Sequence, residues 1–290
     1  MIGTKTEMNS SETQTGELKR HLAGQLEKTR GSDQGMPFLM YHEIDMPGRP
    51  LCRDFSGHTA YAVPQAELRT HLQHLKDRGV RGISVGEALS GDYDSASSIA
   101  ITFDDGANSD LLAAAPAFEE HGFNATFYVV VGWLGREGYL SHNQVRELHA
   151  RGFEIGCHTM SHRFIPRLRD SELEYEMVHS KKVLEQILGA RVDHFSCPGG
   201  FWSRRAANLA KESGYLSVTT SQPGFNKIGV TDPYCLSRMV VRRGMDVSDF
   251  DLLFQGKGLL ARRAKEAFLS VPKYILGPDA YVKLYGVFIP

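Results

Sequence analysis

The chain has little of what staples small or metal-scaffolded proteins. Its four cysteines, Cys52, Cys157, Cys197 and Cys235, lie far apart and form no CxxC pair. That excludes a zinc ribbon and argues against a disulfide framework, and free thiols of this kind read as small buried hydrophobes. An excess of one charge is missing too. Lys+Arg number 33 against 34 Asp+Glu, a formal net charge of −1, so there is no polycationic footprint and no nucleic-acid partner is expected. No uninterrupted run of about 18 apolar residues occurs, so no spanning helix is expected. Residues 1–35 are polar and carry no apolar core of the kind a signal peptide needs. They read as a flexible tail, and the chain reads as cytoplasmic. No internal repeat is evident.

What is present gathers around residues 98–106, Ser-Ile-Ala-Ile-Thr-Phe-Asp-Asp-Gly. Ile99 to Phe103 have the length and apolarity of a strand buried on both faces. Such a strand can hold Asp104 and Asp105 only at its end. Adjacent carboxylates repel, and one is normally protonated, hydrogen-bonded or bound to a cation; a solvated Asp-Gly turn is the plain alternative. A second apolar run, Phe153-Glu154-Ile155-Gly156-Cys157, leads into His158 and His162. On one helical turn a spacing of four puts both imidazoles on one side. Two histidines and one carboxylate form a ligand set that leaves positions open for water. The two motifs together favour a metal site, best suited to Zn²⁺, with Co²⁺, Ni²⁺ or Mn²⁺ also able to occupy it.

The rest of the chain alternates strand and helix signals. Pro64 opens a helix with Leu68, Leu72 and Leu75 on one face and Gly79 as its stop. A helix over 109–120 is expected to be irregular at Pro116 and to end at Gly122. Strands are expected over 124–131, 193–197, 215–220 and 236–241. Ser141 with Gln144 makes a capping box, Ser171 with Glu174 is expected to cap the longest helix, and Ser203 opens another. This order predicts a parallel α/β sheet, closed or nearly closed, with its chemistry at the C-terminal strand ends. Asp104, Asp105, His158, Cys197 and His42 all fall there.

Thr102-Phe103-Asp104-Asp105-Gly106 followed by His158-Thr159-Met160-Ser161-His162 resembles the first two motifs of the polysaccharide deacetylase (NodB-like) family, over roughly residues 37–241. The resemblance implies a distorted (β/α) barrel that hydrolyses an N-acetyl group on a sugar. It implies Asp105, His158 and His162 as metal ligands and Asp104 as the base. Two departures stand out. No histidine follows His194, so the family's late Leu-x-x-His-like motif is absent. Leu39-Met40-Tyr41-His42 has that form at the front, as in branches that look permuted. His42 is then the candidate general acid, or else a structural histidine capping a strand. The third motif aligns with Phe195-Ser196-Cys197-Pro198-Gly199-Gly200, placing Ser196 where the family has an arginine. The Pro198–Gly199 loop remains as a supporting element. Arg238 could supply the cation, or be an ordinary surface arginine. Tyr41, Trp133, Phe201 and Trp202 are candidate sugar platforms or core residues, Trp133 foremost.

The expected organisation is a tail over 1–35, a barrel over 36–246, and an amphipathic extension over 247–290. That extension either packs on the barrel or lies at an anionic membrane interface. The expected substrate is an N-acetylated amino sugar in a glycan, an oligosaccharide or a lipid-linked precursor. A non-sugar amide at the same metal site and a carbohydrate-binding pseudoenzyme are the alternatives.

Overall fold

Runs that are apolar without alternation become strands covered on both faces. Among the described residues, six of the seven main strands are β1 (Met36–Tyr41), β2 (Ser98–Phe103), β3 (Thr126–Val129), β4 (Glu154–Cys157), β5 (His194–Ser196) and β6 (Ser217–Thr219). The seventh is β7 (Met239–Val240). All six residues of β1 and all six of β2 are buried. The computed structural model describes residues 35–264 except 54, 55, 92, 95, 96, 261 and 262. The expected tail, apart from Gly35, and the extension beyond residue 264 lie outside the described residues.

Neighbouring strands pair in parallel from β1 through β2, β3, β4 and β5 to β6. β7 pairs in parallel with β1, and Leu236 just before it bridges Thr219 of β6. The ring is therefore joined round, but by one bridge at the β6 junction. The fold is the expected distorted (β/α) barrel. A short strand, Arg81–Ile83, pairs with the first half of β2, so β2 is crowded at its N-terminal end. The expected last strand over 236–241 is shorter than its sequence suggests because Leu236 serves β6 while Met239 and Val240 serve β1. The chain must bend between those two partners.

Helices follow their sequence signals closely. Leu68, Leu72 and Leu75 are buried along the helix Gln65–Asp77, with Pro64 at its N-cap. The helix after β2 begins with a π-helical turn, Asp110–Ala114, just ahead of Pro116. The Ser141–Gln144 capping box forms as expected. The expected Ser171–Glu174 cap does not. The helix starts at Asp170, and Glu172 instead accepts from the Arg169 N–H at 2.9 Å. That helix continues through a π-helical turn, Tyr175–His179, into Ser180–Leu188.

The first part of the C-terminal extension is a helix, Val247–Phe254, that buries Phe250 and Leu253. Phe250 stacks on His71 of the Gln65–Asp77 helix with ring centroids 4.2 Å apart. This part packs on the barrel. Among the described residues no helix is long and apolar enough to cross a membrane.

Candidate active site

β2 delivers its two carboxylates at the C-terminal rim of the barrel. The Asp104 N–H donates to the Tyr41 carbonyl at 3.0 Å, which extends the β1–β2 ladder one step past the strand. Asp105 then turns the chain with φ 83°, and Gly106 follows at φ 78°. A Cβ on Gly106 would come within 3.1 Å of the Val129 side chain. Among the described residues three non-glycines have positive φ: Asp105, Thr159 and His162. A left-handed conformation costs such residues on the order of 1–3 kcal/mol, and all three fall in one cluster.

The segment carrying His158 and His162 is an irregular loop after β4, not the helical turn that a spacing of four suggested. The positive φ angles at Thr159 and His162 reverse it, so both rings reach the same place by a different path. Glu176, 1% exposed, fastens the loop. Its carboxylate accepts from the Met160 and Ser161 N–H groups at 3.0 and 2.8 Å and from the Ser161 hydroxyl. The loop also lies against Val131 and Gly132, whose N–H groups donate to the Thr159 and Met160 carbonyls. A Cβ on Gly132 would stand 2.5 Å from the Met160 oxygen. No residue pattern marked Glu176, which sits in the π-helical turn and departs from the helical period around it.

His158 Nδ1 is 2.8 Å from the Ser196 carbonyl oxygen, so Nδ1 carries the proton and Nε2 presents its lone pair. That Nε2 lies 3.6 Å from Asp105 Oδ1, and His162 Nε2 lies 3.4 Å from the same oxygen. One ligand atom from each of the three residues falls within 4.8 Å of the others. Asp105 Oδ1 is buried and has no hydrogen-bond donor. Burial pulls the His162 imidazole down to about 4, against the carboxylate of Asp105, which keeps the ring neutral and able to ligate. A buried oxygen with no donor, faced by two imidazole nitrogens, fits a divalent cation and leaves the oxygen unsatisfied without one.

Asp104 belongs to a different set of partners. Arg238 is fully buried and donates to Asp104 Oδ1 and Oδ2 at 2.7 Å each. Its remaining donors reach the Thr220 carbonyl, the Thr102 hydroxyl and the Ser196 hydroxyl at 2.8, 3.0 and 2.8 Å. All five N–H groups of the guanidinium are thus used. Burial would push the Asp104 carboxyl up, but Arg238 and then His158 hold it well below the usual carboxylate range. Arg238 is therefore no surface arginine. Ser196, at the position of the family's arginine, also touches Asp104 Oδ2 at 3.2 Å. Tyr128 lies beneath Arg238, its ring centroid 5.5 Å away. Gly156 opposite makes room for it, since a Cβ there would be 2.3 Å from the Tyr128 ring.

His42 follows β1 at the same rim, and the charges of Asp105 and Asp104 both act on it. Burial nonetheless depresses its imidazole below the ordinary value, so the ring is neutral near pH 7. Its Nδ1 is buried with no partner, and the ring packs 5.0 Å from that of Tyr61.

The aromatic candidates divide. Trp133 stands 5.1 Å from the His162 ring and walls the cluster. Tyr41 is 0% exposed, stacked on Phe103 at 5.2 Å with its hydroxyl 3.2 Å from His71 Nδ1, so it is core and not a sugar platform. Strand alternation could not reveal this because both faces of β1 are covered. Pro198 and Gly199 form a tight turn after β5, with Gly199 at φ 60°. Trp202 is partly buried and donates Nε1–H to the Tyr234 carbonyl at 2.6 Å, while Phe201 packs edge-on against Phe164. The four cysteines are free, Cys157 and Cys197 being buried, and burial pushes the Cys197 thiol up to about 12.

Residues 92–218 match the family model of the polysaccharide deacetylases. Over these residues, somewhat less than half of its length, the chain is similar to the polysaccharide deacetylases. YxkH of Bacillus subtilis, named for the same family, is 28% identical over 219 residues, 74% of each chain. A chitooligosaccharide deacetylase of Azorhizobium caulinodans is 37% identical over 130 residues, which are 43% of this chain and 59% of that protein. Among solved structures, a polysaccharide deacetylase from Bacillus cereus has a TM-score of 0.64 at 26% identity, covering 76% of this chain and 69% of that one. The two motifs that carried the family resemblance, on Asp104–Asp105 and His158–His162, both lie within the matched residues.

Proposed function

We propose that this chain is a polysaccharide deacetylase, a metal-dependent hydrolase that removes N-acetyl groups from an amino sugar in a glycan, an oligosaccharide or a lipid-linked precursor. The observation that carries the reading is Asp105 Oδ1, a buried oxygen with no donor that faces the Nε2 atoms of His158 and His162. These three residues would hold one divalent cation, Zn²⁺ suiting the donor set best and Co²⁺, Ni²⁺ or Mn²⁺ also able to occupy it. When bound, such a cation supplies Lewis-acid polarisation of a carbonyl and makes water more acidic.

The chain's own groups would do the rest. Asp104, kept ionised by Arg238, accepts a proton from the water as its oxygen adds to the acetyl carbon. The bidentate arginine also weakens this base, so the proton is held only briefly. Breaking the C–N bond requires a proton on the departing nitrogen, and we assign that donation to His42. Being neutral at rest, His42 must first be protonated, and the proton that Asp104 takes from the water balances the one His42 gives to the nitrogen. The products are acetate and a free amine. Support comes from the similarity to polysaccharide deacetylases and from the grouping of Asp105, His158 and His162 with Asp104 close to His158.

The test is acetate release by metal-loaded protein from N-acetylglucosamine oligomers, before and after chelation. Release that stops on chelation and returns with Zn²⁺ is expected. No release from any acetylated sugar, with one metal ion bound per chain, would overturn the reading.

A further inference from the structure

Most arginines around this rim are matched to a carboxylate. Arg49 pairs with Glu43, Arg238 with Asp104, and Arg243 with Asp45. Arg53 and Arg242, which flank the site, are not: among the described residues neither has an ion-pair partner. Both are held by aromatic rings instead. The Arg53 guanidinium lies 4.1 Å from the Trp133 ring centroid, and its Nε donates to the Tyr139 hydroxyl at 3.2 Å. Trp133 in turn packs against His162. On the other side, the Arg242 guanidinium lies 5.2 Å from the Tyr61 ring, and Tyr61 packs against His42. Each arginine is thus one aromatic ring away from an imidazole of the site, one on the ligand side and one on the acid side.

The supports of both are fixed. Cys52 anchors the segment before Arg53, its N–H donating to both Glu43 carboxylate oxygens at 3.0 Å and its thiol to the Gly138 carbonyl at 3.0 Å. Arg242 follows β7 in register with His42 after β1, and the next residue donates its N–H to the Ala60 carbonyl at 3.0 Å. Neither charge is needed inside the site, where Arg238 already serves Asp104 and the cation would serve Asp105. A guanidinium resting on an aromatic face is weakly hydrated and keeps its planar fork free for a carboxylate or phosphate.

We propose that Arg53 and Arg242 form an anion-reading rim and that the preferred substrate is an acidic glycan, bearing carboxylate or phosphate groups next to the N-acetylated sugar. The proposal rests on the deacetylase reading for the acetyl group, but not for the charge. An anionic group on each side of the reacting amide would hold the sugar across the cleft, with Trp133 and Tyr61 beneath the two contacts.

Titration calorimetry on Zn²⁺-loaded protein tests this with three probes. They are a neutral N-acetylglucosamine hexamer, a hexasaccharide alternating N-acetylglucosamine with glucuronate, and N-acetylglucosamine 1-phosphate beside its neutral parent sugar. The wild type is expected to bind at least one charged probe about tenfold or more tightly than its neutral counterpart at low salt, with the preference shrinking at high salt. Arg53→Gln with Arg242→Gln should reduce that preference at least tenfold, and Arg53→Lys should restore part of it. Which probe responds separates carboxylate from phosphate. A wild type with no preference, or a double variant that weakens charged and neutral probes equally, would overturn the rim. Acetate release is read in parallel: charged preference without any release leaves the rim standing and removes the deacetylase reading, whereas release without preference does the reverse.

Discussion

Arg238 and Asp104 face each other through two parallel 2.7 Å hydrogen bonds, fully buried, across 134 positions of sequence. The Ser196 hydroxyl lies between them, accepting from Arg238 at 2.8 Å and donating to Asp104 at 3.2 Å. Arg238→Gln should leave a buried carboxylate unpaired and cost about 3–5 kcal/mol of stability, read as a lower denaturant midpoint. Arg238→Lys should recover little, because an ammonium cannot serve five separate acceptors. A glutamine variant with the parental midpoint and parental turnover would refute the role of this pair.

Metal content separates the two aspartates. His158→Ala should lose both the ion and activity, while Asp104→Asn should still purify with about one divalent ion per chain and lose turnover. Elemental analysis of the two proteins decides it. Loss of metal from Asp104→Asn would mean that Asp104 is a ligand.

His42→Ala should keep the metal and lower amide turnover by about a hundredfold or more, the usual size for a missing general acid. The defect should shrink on an activated phenyl acetate, whose leaving group needs no proton. Equal defects on amide and ester would rule out His42 as the acid.

Glu176 binds the loop between the two histidines, and its effect should run through that loop. Glu176→Gln should weaken metal affinity by about 10–100-fold, as outlying supports of ligands commonly do. Competition against a chelator measures it. Restoration of turnover by excess Zn²⁺ would mark Glu176 as a positioning residue; unaltered affinity would refute the clamp.

At the opposite end of the barrel, Glu154 accepts from the Gly86 N–H at 2.9 Å and lies 3.4 Å from His194 Nε2. Burial raises its carboxyl, but His194 and the hydrogen bonds to Thr126 and Gly86 bring it below the ordinary 4.5. A depressed folded-state value means stability that is complete above about 4.5 and is lost as the pH falls through the lower folded value. Glu154→Gln should therefore lower stability at pH 7 and flatten its decline below pH 4.5. Thermal melts across pH 3–7 would show it, and an unchanged acid slope would count against it.

Much of this was legible in sequence because apolar strands ended abruptly in groups that cannot be buried without partners. Asp104, Asp105, His158 and His162 announced themselves that way, and the Ser141 cap and the leucines at 68, 72 and 75 followed simple periodicities. Other features depend on which strands meet. Arg238 could be suspected from the missing charge at Ser196, yet its five contacts come from β2, β5 and the β6 end. Tyr41 looked available because strand position says nothing about which layer covers a face. Glu176 was hidden by a π-helical turn that shifts its side chain out of the expected helical register.

Because β7 both pairs with β1 and carries the approach to Arg242, the ends of the described barrel meet beside His42. Asp104 leaves the ribosome long before Arg238 does; at 5–20 residues per second the delay is on the order of ten seconds. Throughout that interval the carboxylate has no guanidinium and cannot be buried without a large electrostatic penalty. The nascent barrel must then stay open along the β6–β7 seam, which a single bridge later joins. Asp104 would thus gain its buried partner only with the last strand of the described residues, and a chain released before that point would be unstable.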